Sequence, residues 1–222
     1  MKLKVCGLKE NPREVAELGP DYIGFIFWEG SARHLAGPLP EGIPVPPERV
    51  GVFVDADPGF ILEKCRTFGL ALVQLHGSEP APYCRALQER LVQELAQPPR
   101  LIKAFAVGEA FDFGPLEAYL TACDFFLFDS RGPLPGGNGT GFDWTQLERY
   151  PFEKPYFLSG GIGENDLGRL SAFFASPASR ACHALDVNSR FERAPGLKDT
   201  EKLKRFMEAG FGPASPLNKI SI

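Results

Sequence analysis

No stretch of this chain approaches the ~18 consecutive apolar residues that a membrane-spanning helix requires, and Met1 to Cys6 pass directly into a strand-like run without the apolar region of a signal peptide. Basic charge is not in excess either. With 24 Lys and Arg against 28 Asp and Glu, the formal net charge is −4, which gives no electrostatic footing for nucleic acid. Cysteine is sparse and scattered. The five residues Cys6, Cys65, Cys84, Cys123 and Cys182 form no C-x-x-C pair, and only 3 histidines accompany them. An odd, dispersed set argues against a disulfide framework or a zinc site and for reduced thiols, so a cytoplasmic protein without a metal is expected. An anionic small molecule stays open as a partner, because backbone amides bind phosphate without net positive charge.

What the chain does have is 44% hydrophobic residues over 222 positions, punctuated by 24 glycines and 21 prolines. That length suits one well-buried core, since single domains commonly hold ~100–200 residues and barrels somewhat more. Short apolar runs recur eight times: Leu3 to Cys6, Tyr22 to Trp28, Val50 to Val54, Leu70 to Leu75, Leu101 to Val107, Phe125 to Phe128, Tyr156 to Leu158 and Ala184 to Val187. Their apolarity is continuous rather than alternating, as in parallel strands covered on both faces. Helix-like segments lie between them at 12–18, 58–68, 81–93, 114–122, 143–149, 164–174 and 198–209. This alternation predicts an α/β fold, a single-domain (β/α)8 TIM barrel over residues 1–209, followed by an irregular tail at 210–222. A Rossmann sheet is disfavoured, since no G-x-G-x-x-G opens a helix after the first strand. The proline-rich segment 37–47 predicts an extended loop with at most a short helix from Pro47.

In such barrels chemistry gathers at the C-terminal strand ends. The sixth run ends in Asp129 and enters the glycine-rich segment Gly136 to Gly141, and the first ends in Cys6-Gly7. A thiol and a carboxylic acid can thereby face one substrate. The same reading collects Arg33, Asp55, Gln74 and His76, with Ser159-Gly160-Gly161 and Asp186-Val187-Asn188-Ser189 after the seventh and eighth runs. There, backbone N–H groups commonly build a phosphate site, and glycine lets the backbone approach an anion. A cysteine at a strand end is more often small core filling, the reading given to Cys65, Cys84, Cys123 and Cys182. Asp55 and Lys103 are taken as structural, and Asp143 as a helix N-cap.

The ordered pieces Lys4-Val5-Cys6-Gly7-Leu8, Ile23 to Phe27, Ser31-Ala32-Arg33, Val50 to Phe53, Val73-Gln74-Leu75-His76-Gly77, Phe128-Asp129, Gly136 through Trp144, Leu158 to Gly161 and Leu185 to Ser189 resemble the phosphoribosylanthranilate isomerases of tryptophan biosynthesis. The resemblance implies an acid/base Amadori rearrangement of a phosphorylated small molecule, with no cofactor. It implies Asp129 as general acid and Cys6 as general base, with Arg33 against the anthranilate carboxylate. Gln74 and His76 take supporting substrate contacts, and Gly160, Gly161, Asp186, Asn188 and Ser189 hold the phosphate. A thiol serving as base calls for a pKa near neutrality, below the usual ~8.5. The expected assembly is a monomer or homodimer. The sequence departs from the family twice: Gly141 runs straight into Phe142 where a lysine often intervenes, and Arg190 stands where many relatives carry glycine. Two other readings stay open. One is the related isomerase of histidine biosynthesis, against which Cys6 counts because aspartates occupy both catalytic strand ends there. The other is a non-catalytic barrel that binds a phosphorylated metabolite.

Overall fold

The computed structural model of the protein describes residues 1–130 and 141–212. Eight strands, β1 (Lys2–Val5), β2 (Tyr22–Ile26), β3 (Glu48–Phe53), β4 (Leu72–Leu75), β5 (Arg100–Val107), β6 (Phe125–Ser130), β7 (Tyr156–Leu158) and β8 (Cys182–Val187), form a closed barrel in sequence order. All neighbours pair in parallel, and the ring is sealed by β1 against β8, with Lys4 opposite Asp186. The (β/α)8 reading is therefore correct.

Side chains alternate along each strand, so every second residue points to the barrel axis. On β4 and its extension that face carries Leu72, Gln74 and His76; on β6, Phe125, Leu127 and Asp129; on β8, Ala184 and Asp186. The lower layers are apolar. Tyr22, Val50, Leu72, Ile102, Phe125, Leu127, Phe157 and Ala184 form an inner cluster that fills the barrel floor, with Tyr22 and Phe125 each packed edge-on against Phe157. The polar groups lie above it, towards the C-terminal strand ends. The opposite strand faces contribute to a second, larger core beneath the helices.

Helices cover the outside at α1 (Pro12–Glu17), α2 (Pro58–Phe68), α3 (Ala81–Glu94), α4 (Leu167–Phe174) and α5 (Thr200–Phe211). Local chemistry sets their ends. Asp57 accepts from the Gly59 N–H at 2.7 Å ahead of Pro58, and α2 stops at Gly69 in the left-handed region at φ 58°. The segment 37–47 holds no helix, as an extended loop with at most a short helix allows, and Glu48 already pairs with Tyr22 in β3. Two expectations need revision. Gly114–Tyr119 and Trp144–Arg149 are 3-10 rather than α-helical, although Asp143 does cap the second by accepting from the Thr145 N–H at 3.0 Å. The helix α5 continues through Gly210 to Phe211, past the expected start of the tail, while Gly136 to Thr140 and residues 213–222 lie outside the described residues. A short antiparallel pair, β9 (Glu192–Ala194) with β10 (Leu197–Lys198), follows β8. It was not foreseen, and it bears on the site.

Candidate active site

A cleft enclosing about 750 Å³ of open space, solvent included, sits at the C-terminal mouth of the barrel. Cys6, Arg33, Gln74, His76, Asp129, Gly160, Gly161, Asp186, Asn188 and Ser189 all line it, so one chamber gathers every residue given a catalytic, substrate or phosphate role above, while Asp55 lies outside it.

Cys6 follows directly on β1 and is buried at 4% exposure. On β2 its neighbour is Gly24, where a Cβ would come within 2.8 Å of the sulfur, so only glycine leaves room for the thiol. Burial pushes the Cys6 thiol up, against the opposing charge of Lys4 and, more weakly, of Lys198. That is the reverse of the lowered thiol the sequence reading required. The ammonium of Lys4, wholly buried, donates to Asp186 Oδ2 at 2.8 Å and to Gln74 Oε1 at 2.5 Å. Although burial alone would lower it, the charges of Asp186 and Cys6 hold Lys4 above its ordinary value, and it stays cationic. Asp186 is pushed up by burial against the pull of Lys4, in keeping with its second oxygen, Oδ1, which is buried without a hydrogen-bond partner.

Across the barrel, Asp129 lies one residue before the end of β6 with little exposure. Its Oδ1 accepts from the Ser130 N–H at 2.8 Å, and its Oδ2 lies 3.4 Å from His76 Nε2. His76 Nδ1 in turn lies 2.6 Å from the Gln74 amide nitrogen. A continuous polar chain thus runs from Asp186 through Lys4, Gln74 and His76 to Asp129.

The glycine turn after β7 is built for backbone approach. Gly160 and Gly161 sit at φ 96° and 68°, and a Cβ on Gly160 would collide with the buried Ser130 hydroxyl, which has no hydrogen-bond partner among the described residues. Successive N–H groups in such a turn make an anion-binding concavity. Ser189 and Arg190 line the same cleft, and the Arg190 carbonyl accepts from Lys202 Nζ at 2.7 Å. Asp186 does not belong with this group. A carboxylate repels a phosphate, and this one is spent on Lys4, so its expected phosphate role is withdrawn in favour of one on the barrel axis. Asn188 is likewise turned aside, its Oδ1 accepting from Lys198 Nζ at 2.7 Å.

Arg33 reaches the cleft from the loop after β2, and its Nε and Nη2 are already engaged by Glu192 at 2.9 and 2.7 Å. The side of the fork that a substrate carboxylate would have used is taken, which leaves Nη1 and the outer Nη2 hydrogen for the cleft. Glu192 is also held by Lys198 Nζ at 2.7 Å, and Lys198 is fixed through its backbone by Asn11, whose Oδ1 accepts from the Lys198 N–H at 2.9 Å. The β9–β10 hairpin thereby places an acid and a lysine behind Arg33 and Asn188, which line the cleft. The fourth-strand loop is anchored by a further buried pair, Lys103 Nζ to Glu79 Oε2 at 3.0 Å, while Glu79 also accepts from the Asp55 and Gly77 N–H groups. This agrees with the structural reading of Asp55 and Lys103.

Sequence reasoning missed Lys4, Lys198, Glu192 and Ser130. Lys4 carried a signal: it is a charge in the middle of an apolar strand, two residues before Cys6 and so on the same face. Among the described residues no group of three or more His, Cys, Asp and Glu side chains is placed to hold a metal ion, and no helix is long and apolar enough to cross a membrane.

Comparison with known proteins adds to this geometry. The family model of N-(5'-phosphoribosyl)anthranilate isomerase matches residues 3–209. The chain is 39% identical to the N-(5'-phosphoribosyl)anthranilate isomerase of Parabacteroides distasonis, covering 96% of this chain and 95% of that protein. It is 33% identical to that of Zymomonas mobilis over 94% and 97% of the two chains. Among solved structures it is similar to the Thermotoga maritima phosphoribosyl anthranilate isomerase, at TM-score 0.70 and 31% identity over 94% of this chain and 97% of that one. It is also similar to a phosphoribosyl anthranilate isomerase in complex with reduced 1-(o-carboxyphenylamino)-1-deoxyribulose 5-phosphate, at TM-score 0.67 and 28% identity over 94% and 97%. On the strength of the family model and these relatives, the chain belongs to the N-(5'-phosphoribosyl)anthranilate isomerase family.

Proposed function

We propose that Cys6 and Asp129 are the base and the acid with which this isomerase of tryptophan biosynthesis converts N-(5-phosphoribosyl)anthranilate to 1-(2-carboxyphenylamino)-1-deoxyribulose 5-phosphate. The observation that carries the assignment is the convergence of a thiol from β1 and a carboxyl from β6 on the cleft that also holds the glycine turn after β7. Asp129 gives its proton to the furanose ring oxygen as the C1′–O bond breaks, which leaves an iminium between C1′ and the anthranilate nitrogen. Cys6 then removes the C2′ proton, and the released electron pair forms the C1′=C2′ bond and neutralises the iminium. Tautomerisation adds a proton at C1′ and takes one from the C2′ hydroxyl, which gives the ketone. C1′ is reduced as C2′ is oxidised, so no external oxidant or cofactor enters.

The raised Cys6 thiol fits this order of events. Burial raises the thiol while Lys4 and Lys198 pull it down, and it is the thiolate that takes the C2′ proton; the iminium formed on ring opening adds positive charge that favours that form. The phosphate is assigned to the Gly160-Gly161 turn with Ser189 and Arg190, and the anthranilate carboxylate to the free edge of Arg33. Every assigned residue comes from one chain, so the reading asks for no more than a monomer and is compatible with a homodimer. The setting that suits it is the cytoplasm.

Loss of anthranilate fluorescence on adding the protein to phosphoribosylanthranilate generated in situ, with indoleglycerol-phosphate synthase removing product, measures the reaction. Cys6→Ser and Asp129→Asn are each expected to lower kcat by at least about 10²-fold, at the lower end of the range for a positioned acid or base. Near-normal turnover in either would remove that residue from the mechanism.

A further inference from the structure

We propose that Lys4 is a positioning residue of this isomerase, governing both ends of the site from one buried ammonium: it sets the charge around Cys6 and, through the Gln74 amide, fixes the His76 tautomer that faces Asp129. The inference builds on the acid and base assignment above.

An ammonium can only donate, so the Gln74 atom 2.5 Å from Lys4 Nζ has to be the carbonyl oxygen. The amide nitrogen is thereby the atom 2.6 Å from His76 Nδ1, and since an amide nitrogen also only donates, Nδ1 must be the unprotonated acceptor. The neutral ring then carries its hydrogen on Nε2, 3.4 Å from Asp129 Oδ2. Without the ammonium nothing holds the amide this way round. A flipped Gln74 would present its oxygen to an Nδ1–H, and Nε2 would meet Asp129 as a lone pair. At the other end, the charged groups facing Cys6 are Lys4 itself, Asp186 from β8 and Lys198 from β10, while β2 offers only Gly24. Lys4 is the one that pairs with Asp186, so its loss leaves that carboxylate with both oxygens uncompensated beside the thiol. A wholly buried lysine is also a costly way to fill space. An apolar side chain of similar length would fit the same slot, and replacing buried ion pairs by packed apolar groups is often neutral or stabilising.

The test uses the protein without substrate, so its outcome is separable from that of the acid and base assignment. Nitrogen-15 correlation spectra of His76, identified by its loss in His76→Asn and read at a pH where the ring is neutral, report the tautomer. The pH dependence of Cys6 alkylation, mapped by mass spectrometry, reports the thiol. In the unaltered protein His76 is expected as the Nε2–H form. In Lys4→Met that preference should disappear and Cys6 alkylation near pH 8 should slow by at least about tenfold, the effect of one unit in pKa. Turnover should fall in kcat with KM changed much less, because Lys4 touches neither the glycine turn nor Arg33. Gln74→Leu separates the branches and decides the matter if Lys4→Met does not fold: it should abolish the tautomer preference and leave the Cys6 profile unchanged. A pure Nε2–H tautomer in Lys4→Met or Gln74→Leu, or an unaltered Cys6 profile in a folded Lys4→Met, would overturn the proposal.

Discussion

Replacing Glu192 by glutamine preserves its volume and removes the charge that pairs with both Arg33 and Lys198. The buried carboxylate takes Arg33 Nη2 at 2.7 Å and Lys198 Nζ at 2.7 Å. Removing one partner of a buried ion pair costs about 3–5 kcal/mol. Arg33 keeps 16% side-chain exposure, which places the expected cost in the lower half of that range. In a chain of this size each kcal/mol shifts Tm by about 2–4 °C, so the variant should melt roughly 6–16 °C lower near neutral pH. The pH dependence gives a sharper check. Burial works to raise the Glu192 carboxyl, but the hydrogen bond from Arg33 and the charge of Lys198 leave it below its ordinary value. A carboxyl whose folded value lies under the unfolded ~4.3 contributes stability that is fully present above that pH and is lost as pH falls through the folded value. Scanning calorimetry of both proteins should therefore show a gap in Tm that is widest near neutrality and closes below about pH 4. A gap of equal size at both ends of that range, or none near neutrality, would refute the reasoning.

Gly160→Ala forces a side chain into a residue at φ 96° and against Ser130; KM for the phosphorylated substrate should rise by about tenfold or more, since the loss of a hydrogen bond to a charged group is worth about 1.5–3 kcal/mol. Glu79→Gln leaves Lys103 buried without its counter-charge, and urea unfolding should show a loss of about 3–5 kcal/mol. Burial raises the thiols of Cys65 and Cys123 to about 12 and that of Cys84 to about 11, so near pH 8 a disulfide reagent should label none of the three until the chain is unfolded; rapid labelling in the folded protein would contradict their burial.

The strand order and the strand-end chemistry were legible because they rest on local signals. Continuous apolar runs mark buried parallel strands, and an acid or thiol closing such a run stands out, as Asp129 and Cys6 do. What was not legible depends on groups far apart in the chain. Lys4 stands out as a charge in an apolar strand, but its partner cannot be read until β8 brings Asp186 opposite it. Asp186 and Gly160 looked alike as turn residues after neighbouring strands, yet the alternation along β8 aims Asp186 at the barrel axis and away from the glycine turn. Arg33 was found, but its partner Glu192 was not, because the β9–β10 hairpin is too short to leave a periodic pattern. The segments after β5 and β6 read as helix-like in the sequence, which does not distinguish α from 3-10 geometry.

The seam between β1 and β8 has a bearing on how the enzyme is made. Lys4 and Cys6 precede Asp186, Glu192 and Lys198 by about 180 residues of chain, so they leave the ribosome before them. Until β8 docks against β1 the lysine lacks Asp186, so the appearance of activity in a translation reaction is expected to time the closing of the ring.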